Sequence, residues 1–366
     1  MADPSRNLWF RLFVPTTATT TRLPVIIYFH GGGFVFFSAN STFFEGICKR
    51  LSLNLPAVVI SVNYRLAPEH RYPAAFEDGF DVMKFVDTSN FEGFPSNADL
   101  SRCFIAGDSA GGNMAHHLAV MAGKHEFSRI KLIGIIGIQP FFGGEERTES
   151  ETKLNNKALI LSLEITDWYW KAFLPVGEDR DHPVVNVFGP RSDAVLGLNF
   201  PATIVFIGGL DLLKDGQKRY CEGLKKAGKE VYMVEYPNAF HGFYCFPQLK
   251  EWRRRRCVGV GTDGDELAGG TTAANVVHNE IGVLDLIERL EGGDEDFASG
   301  VSAEVVNEDL AVGGVGVGYS ADAFEEGGVG GGDGGYEGDK LLFCSKAPGA
   351  GRGTRTGRID PNLDPV

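Results

Sequence analysis

Six short apolar runs, rich in β-branched residues, constrain the fold of this chain more than any other feature of its sequence. Most lack an alternation of polar and apolar residues, which is typical of strands in a parallel sheet that is covered on both faces. The runs occupy residues 25–29, 57–62, 103–106, 132–138, 203–207 and 231–235. Segments with helical periodicity occupy residues 42–53, 74–87, 112–123 and 215–227. This alternation predicts an α/β protein with an open, doubly wound, mostly parallel sheet.

Three further features refine that architecture. Residues 4–15 predict an antiparallel strand at one edge of the sheet. Residues 145–190 interrupt the alternation with the aromatic run Thr166–Phe173 and then a passage rich in Pro, Gly and Asp. We interpret them as a helical insertion over the strand ends, where open α/β sheets bind their ligands. We expect Asp215 to cap the start of the last helix and Gly228 to end it.

Charge and glycine content divide the chain near residue 250. Residues 1–250 carry 25 Lys and Arg against 26 Asp and Glu, whereas residues 251–366 carry 10 against 22. The second part also holds 25 of the 48 glycines. Such a composition buries too little apolar surface to offset the entropy of ordering. We therefore predict a folded domain over 1–250 and an acidic, mostly disordered tail over 251–366. Within the tail, residues 274–290 form a candidate helix, and residues 291–366 should be dispensable for activity.

Composition also excludes several classes of protein. The nearly neutral charge of residues 1–250 gives no support for nucleic-acid binding. The N-terminal segment lacks the basic region and apolar core of a secretory signal, and no apolar run is long enough to span a bilayer. The six cysteines are scattered, so we expect free thiols in a reducing compartment and a cytoplasmic protein. The run Arg253–Arg256 leaves a nuclear location as the alternative.

The pentapeptide GDSAG at residues 107–111 directly follows one predicted strand and precedes a predicted helix. In this context a G-x-S-x-G sequence places Ser109 on a tight turn, where a side chain at either flanking position would strike the neighbouring strand and helix. The hydroxyl is then exposed at a helix N-terminus, whose backbone N–H groups favour developing negative charge. The alternative is an ordinary glycine-rich turn in which Ser109 only caps the helix. The strand–turn–helix context favours a nucleophile.

A second glycine-rich segment, HGGGF at residues 30–34, directly follows the first predicted parallel strand. Glycine N–H groups can approach an oxyanion closely because no Cβ intervenes. The segment matches the form of oxyanion hole found in lipases and esterases, although Gly-Gly-Gly alone is more often a flexible turn. We predict that the N–H groups of Gly32, Gly33 and Ala110 bind the oxyanion and that His30 holds the loop.

A serine nucleophile needs a base, and the base needs a carboxylate that orients it. Asp211 and His241 each follow the carboxyl end of a separate predicted strand. Serine, aspartate and histidine then occur in the chain order that is typical of hydrolases with this type of turn. Asp215 is the competing carboxylate, but we expect it to cap a helix. The sequence therefore predicts a catalytic triad of Ser109, Asp211 and His241.

Other candidate residues carry weaker signals. His116 and His117 lie on the helix after Ser109 without a cysteine or carboxylate at ligand spacing, so surface or packing roles are favoured over metal binding. The aromatic side chains of the insertion fit a substrate pocket and a packed core equally well. They are Trp168, Tyr169, Trp170 and Phe173.

Together these motifs resemble the plant carboxylesterases of the hormone-sensitive-lipase-like family, an α/β-hydrolase group that also contains the gibberellin receptors. The resemblance covers about residues 5–250 and rests on HGGGF (30–34), NYRLAPEHRYPAAFEDG (63–79), GDSAGGNMAHH (107–117), RDHPVVNVFGP (180–190), GGLDLLKD (208–215) and NAFHGFY (238–244). It implies the α/β-hydrolase fold and a serine esterase that acts on small carboxylic esters without a metal or organic cofactor. The family's triad positions fall on Ser109, Asp211 and His241, and its oxyanion glycines fall on Gly32 and Gly33.

The same resemblance implies two alternative functions, and this chain differs from the family in two ways. A gibberellin-receptor-like protein binds a small carboxylate and then a partner protein, but such receptors lack the catalytic histidine, so His241 argues against it. Hydroxyisoflavanone dehydratases are lyases with threonine at the nucleophile position, so Ser109 argues against that function. We expect an N-terminally shortened domain with a partial lid, because the chain starts almost at the strand that follows the family's N-terminal helical segment. The acidic tail stands where the family has a final helix.

Overall fold

A computed structural model describes residues 2–15, 22–91, 93–155, 157–192 and 195–246 of the chain. The strands are β1 (Trp9–Phe13), β2 (Leu23–Phe29), β3 (Val58–Asn63), β4 (Ala98–Asp108), β5 (Leu132–Ile138), β6 (Ala202–Gly208) and β7 (Val231–Tyr236). The α-helices are α1 (Thr42–Asn54), α2 (Ala74–Thr88), α3 (Ala110–Ala122), α4 (Glu149–Leu154), α5 (Leu163–Phe173) and α6 (Lys214–Lys226). The described strands form one sheet in the order β1-β3-β2-β4-β5-β6-β7.

The sheet confirms the predicted doubly wound, mostly parallel architecture. All neighbouring strands except the first pair run parallel. Strand β1 is antiparallel to β3, with Trp9 opposite Asn63 and Phe13 opposite Val59, which confirms the predicted edge strand. Because the parallel strands share one direction, the residues that follow them gather at one edge of the sheet.

Side chains of β2 alternate between two hydrophobic cores, one on each face of the sheet. Val25, Ile27 and Phe29 pack in one core with residues of α2 and α3, whereas Ile26 and Tyr28 pack in the other with residues of α1. All five side chains are buried. The strand is apolar throughout because both of its faces are covered, as its lack of alternation predicts.

Most helix ends lie within one residue of the predicted ends, and two differences from the predictions matter for the site and its surroundings. Helix α3 begins at Ala110, two residues earlier than predicted, so that Ser109 immediately precedes its first turn. The prediction for Asp215 is wrong, since Leu213 is the N-cap of α6. The Asp215 carboxylate instead accepts the Ser150 N–H of α4 at 2.6 Å, because the first turn of that helix leaves N–H groups without intrahelical partners. Gly228 follows the last turn with a φ of 71°, as predicted.

The predicted insertion at residues 145–190 contains helices α4 and α5. Trp170 of α5 stacks on Phe141 with ring centroids 3.9 Å apart, and Phe173 stacks on Phe34 at the same distance. Phe34 lies in the loop after β2 and Phe141 lies in the segment after β5. The insertion therefore packs over the carboxyl ends of the strands, as the sequence indicates.

Several predictions fall on residues that the structure does not describe. The predictions of a disordered tail over 251–366, of a helix at 274–290 and of a role for the run Arg253–Arg256 all concern residues outside the described ones. Among the described residues, the thiols of Cys48, Cys103, Cys221 and Cys245 are free, as predicted. None of the described helices is both long enough and apolar enough to cross a membrane.

Candidate active site

Ser109 lies between β4 and α3, and its backbone adopts an uncommon conformation. Its φ is 51° and its ψ is −116°, a combination that steric clashes disfavour for residues with a side chain. The Ser109 N–H donates to the Ile138 carbonyl at 2.9 Å, and the Ser109 carbonyl accepts from the Phe141 N–H at 2.8 Å. These two hydrogen bonds, one to the last residue of β5 and one to the segment after it, hold the strained turn in place.

Gly107 and Gly111 flank this turn because strand β4 and helix α3 meet closely there. A Cβ at Gly107 would overlap the backbone of Gly111, and a Cβ at Gly111 would overlap the carbonyl of Phe29. Both overlaps involve backbone atoms, which cannot move aside as a flexible side chain can. The physical reason given for the glycines of the pentapeptide is therefore confirmed.

The side chains of Ser109, Asp211 and His241 form a continuous line of hydrogen bonds. His241 Nε2 lies 3.0 Å from Ser109 Oγ, and His241 Nδ1 lies 2.9 Å from Asp211 Oδ2. A carboxylate only accepts hydrogen bonds, so the neutral imidazole carries its proton on Nδ1 and its Nε2 accepts from the hydroxyl. All three side chains are buried, Asp211 completely and the other two to more than nine-tenths. The structure thus brings together the three residues that the sequence analysis selected.

The Asp211 carboxylate has two further hydrogen-bond donors. The Leu213 N–H donates to Oδ1 at 2.9 Å, and Gln217 Nε2 donates to Oδ2 at 3.0 Å. Gln217 lies on α6 and is fully buried. These contacts fix the orientation of the carboxylate toward His241. No sequence motif marks Gln217, so the sequence analysis missed it.

The glycine-rich loop after β2 has a conformation that requires glycine. Gly32 and Gly33 have φ values of 113° and 62°, which most side chains avoid. A Cβ at Gly32 would meet the Phe37 ring at 2.8 Å, and a Cβ at Gly33 would meet the Tyr169 ring at 2.5 Å. Within the described residues, the N–H groups of Gly32, Gly33 and Ala110 donate to no backbone or side-chain acceptor. These are the three N–H groups that the sequence analysis assigns to the oxyanion, and that role stays a prediction.

His30 joins this loop to the neighbouring strand. Its ring stacks on Tyr64 with centroids 4.3 Å apart, and the Tyr64 hydroxyl donates to the His30 carbonyl at 2.6 Å. His30 Nδ1 lies 2.8 Å from the Gly31 carbonyl. Burial lowers the pKa of His30 to about 4, so the ring is neutral near pH 7. These contacts agree with the prediction that His30 holds the loop.

Asp108, which the sequence analysis left without a role, ties three segments together. Its buried carboxylate accepts the Gly31 N–H at 2.9 Å, the Tyr28 hydroxyl at 2.6 Å and the Tyr244 hydroxyl at 3.0 Å. Burial raises the pKa of Asp108 to about 6, against the opposing effect of these three donors. Gly31 belongs to the glycine-rich loop and Tyr244 follows His241 by three residues. In the sequence, only the position of Asp108 within the pentapeptide GDSAG could have indicated this role.

The remaining candidates have packing roles. His116 Nδ1 lies 3.1 Å from the Tyr220 hydroxyl, and His117 Nε2 lies 3.2 Å from the Val184 carbonyl. Burial lowers the pKa of both rings. Within the described residues, no group of three His, Cys, Asp or Glu side chains is arranged to hold a metal ion.

The aromatic residues of the insertion divide between the core and the site. Trp170 and Phe173 are buried in the hydrophobic core. Tyr169 packs against Gly33, and Trp168 is about half exposed and stacks on Phe36 at 6.0 Å. The packed-core interpretation is therefore confirmed for Trp170 and Phe173, and a substrate pocket lined by Trp168 and Tyr169 stays a prediction.

Comparison with known proteins supports the same assignment of the fold. Residues 26–245 match the family described as alpha/beta hydrolase fold. A gibberellin receptor from Arabidopsis thaliana is 46% identical over 258 residues, which cover 67% of this chain and 74% of the receptor. A probable carboxylesterase from the same plant is 39% identical, with 65% of this chain and 72% of that protein covered. A 3-O-acetylpapaveroxine carboxylesterase from Papaver somniferum is 36% identical, with 68% and 82% covered.

Solved structures show the same similarity. A hyperthermophilic esterase from the archaeon Pyrobaculum calidifontis superposes with a TM-score of 0.58 at 32% identity, covering 67% of this chain and 74% of the esterase. An alpha/beta hydrolase enzyme from the metagenome of Lake Arreo gives the same TM-score and coverage at 30% identity. Esterases and carboxylesterases among these relatives support hydrolase activity at the level of the family. The chain belongs to the α/β-hydrolase fold family, in the plant group of carboxylesterases and gibberellin receptors.

Proposed function

We propose that this protein is a serine carboxylesterase that hydrolyses small carboxylic esters. The observation that carries the proposal is the position of His241, whose two ring nitrogens lie within 3.0 Å of Ser109 Oγ and Asp211 Oδ2. A serine hydroxyl becomes an effective nucleophile when a neighbouring base accepts its proton. The carboxylesterase relatives support the same chemistry at the family level.

In the proposed reaction, Ser109 Oγ attacks the ester carbonyl carbon while His241 Nε2 accepts the hydroxyl proton. The carbonyl oxygen becomes an oxyanion, to which the N–H groups of Gly32, Gly33 and Ala110 donate. The tetrahedral intermediate then loses its alkoxide, which takes the proton from His241 and leaves as the alcohol. Water attacks the remaining acyl-serine, again with His241 as the base, and releases the acid and free Ser109.

Asp211 has no covalent part in this sequence. Its carboxylate keeps the proton of the neutral imidazole on Nδ1 and stabilises the imidazolium that forms at each proton transfer. The preorganised N–H donors act on charge that exists only in the transition state and intermediate. Loss of one such donor typically costs about 3–4 kcal/mol of transition-state stabilisation. The reaction proposed here uses no metal or organic cofactor.

A gibberellin-receptor-like binder is the second candidate function, because a gibberellin receptor shares 46% identity with this chain. The two candidates differ at one position, since the receptors of this family lack the histidine that His241 provides. A binder would hold a small carboxylate without turning over an ester. The lyase alternative is disfavoured by serine rather than threonine at position 109.

Hydrolysis of p-nitrophenyl esters by the purified full-length protein distinguishes the candidates. We expect saturable release of p-nitrophenol from acetate and butyrate esters, with a dependence on acyl length that reports the size of the acyl site. A parallel titration with a gibberellin by calorimetry tests for binding without turnover. Hydrolysis no faster than in buffer, together with saturable gibberellin binding, would reject the esterase in favour of the binder.

A further inference from the structure

Gln139 is a fully buried residue that directly follows β5. Its φ of 45° lies in the left-handed region, which residues other than Gly, Asn and Asp seldom adopt. Its N–H donates to the Phe206 carbonyl of β6 at 2.8 Å. Such a backbone conformation persists only where the surrounding contacts hold it.

The side-chain amide of Gln139 bridges the two peptide groups that flank His241. Its Nε2 donates to the Phe240 carbonyl at 3.1 Å, and its Oε1 accepts from the Gly242 N–H at 2.8 Å. Both groups belong to the loop after β7 rather than to a strand. The amide therefore restrains the backbone immediately before and immediately after His241.

The segment that contains Gln139 also holds Ser109. The Ile138 carbonyl accepts from the Ser109 N–H at 2.9 Å, and the Phe141 N–H donates to the Ser109 carbonyl at 2.8 Å. A Cβ at Gly208, at the end of β6, would overlap the Gln139 amide, so a glycine there leaves room for it. One four-residue segment thus contacts the backbone of Ser109 and, through a side chain, the backbone around His241.

We propose that Gln139 is a positioning residue that sets the distance and angle between His241 Nε2 and Ser109 Oγ. The inference rests on the proposed function, because this alignment affects turnover only if His241 accepts the serine proton. A displacement of about 1 Å in such a pair lowers the rate by about 100-fold. The hydrogen bonds of the Gln139 side chain go to the backbone on either side of His241 and not to the reacting atoms, so its effect is on the geometry of the pair.

Two variants test the side chain of Gln139, one by removing its amide and one by shortening it. Gln139→Met keeps the length and approximate volume of the side chain and removes both hydrogen bonds. Gln139→Asn keeps the amide and tolerates a positive φ better, but is one methylene shorter and cannot span both peptide groups. We expect both variants to lose about 10- to 100-fold in kcat with KM changed less than about 2-fold. The matched control is Ser52→Ala, which removes a buried hydrogen bond of 2.9 Å to the Ala57 carbonyl and should keep wild-type kcat.

The second measurement is the downfield proton resonance of His241 Nδ1–H, identified by its loss in His241→Gln. We expect Gln139→Met to shift or broaden this resonance and Ser52→Ala to leave it unchanged. Wild-type kcat and an unchanged resonance in both Gln139 variants would overturn the positioning role while leaving the esterase intact. A resonance that responds to Gln139→Met in a protein that hydrolyses no ester would reject the proposed function and support the positioning role. If the protein hydrolyses no ester and the resonance does not respond, both are overturned.

Discussion

The turn that carries Ser109 and the loop that carries His241 are held by different kinds of contact. The turn depends on glycines within two residues of Ser109, where a Cβ would strike backbone atoms. The loop depends on the side chain of Gln139, which is more than 100 residues away in the chain. Two hydrogen bonds join the regions, one between His241 Nε2 and Ser109 Oγ and one from the Tyr244 hydroxyl to the carboxylate of Asp108.

This difference explains which of these contacts can be predicted from the sequence. Steric requirements between near neighbours leave a short motif, because few residues other than glycine fit the close crossing of β4 and α3. Long-range side-chain contacts leave no motif, because the residues involved are separated in the chain and ordinary in type. The predictions below change one region at a time.

The largest effect is expected from Ser109→Ala, which removes the chemistry of the turn and keeps its shape. Loss of a triad nucleophile lowers kcat by a factor on the order of 10⁶. The fold should persist, since alanine and serine face the same backbone strain at this φ. Ester hydrolysis and thermal unfolding measured on the same preparation test both statements. Turnover above about a tenth of the wild-type value would exclude Ser109 as the nucleophile.

Gly111→Ala breaks the geometry of the same turn. Alanine favours a helix over glycine by about 1 kcal/mol, but its Cβ would overlap the Phe29 carbonyl in the central sheet. We expect the clash to dominate and the free energy of unfolding to fall by more than about 3 kcal/mol. Urea denaturation of soluble protein, or failure to obtain any, is the measurement. Wild-type stability in this variant would show that the crossing is looser than described.

Asp108→Asn tests a carboxylate beside Ser109 that accepts from the hydroxyl of Tyr244, three residues after His241, and from the Gly31 N–H of the glycine-rich loop. The folded-state pKa of Asp108, about 6, lies above the ordinary aspartate value, so its contribution to stability is present below about pH 4 and is lost as the pH rises through 6. Between pH 4 and pH 7 this amounts to about 2 kcal/mol, because the unfolded-state carboxyl is already partly ionised at pH 4. The stability of Asp108→Asn relative to wild type should therefore increase by that amount over this range.

Urea denaturation of the two proteins at pH 4, 5, 6 and 7 measures the difference. Other titrating groups, including His30, cancel to first order because they are present in both proteins. A difference in unfolding free energy that does not vary with pH would mean that Asp108 titrates normally.

The smallest effect is expected from Gly228→Ala, a glycine outside both regions. Gly228 has a φ of 71°, and no heavy atom lies within 4 Å of the position of an added Cβ. Only backbone strain opposes alanine there, at a cost of about 1 kcal/mol. Comparison with Gly111→Ala distinguishes the cost of backbone strain at Gly228 from the cost of steric overlap with Phe29 at Gly111. A loss as large as that of Gly111→Ala would show that the overlap at Phe29 is not the cause of the larger effect.

The sequence predicted most of the fold because its signals are local. The parallel strands follow from their uninterrupted apolar runs, and the turn at Ser109 follows from the glycines around it. The end of α6 at Gly228 follows from the left-handed conformation that glycine accepts. Only contacts within a few residues of each position were needed.

The parts that the sequence did not predict depend on distant partners. Asp215 was expected to cap α6, but α4 supplies an N–H from 65 residues away that its carboxylate accepts. Asp108, Gln139 and Gln217 act through contacts across strands and loops, so composition and spacing give no sign of their partners. These roles can be identified only from the folded structure, in which the sheet brings the loops next to each other.

Labelling with a fluorophosphonate tests the central claim most directly, because the reagent needs a serine activated by a base but no knowledge of the natural ester. Mass spectrometry of the intact wild-type protein should show one adduct, and peptide mapping should place it on Ser109. His241→Gln should slow labelling by orders of magnitude, and Ser109→Ala should abolish it. No adduct, an adduct on another residue, or an equal rate in His241→Gln would contradict the assignment of Ser109 and His241 as nucleophile and base.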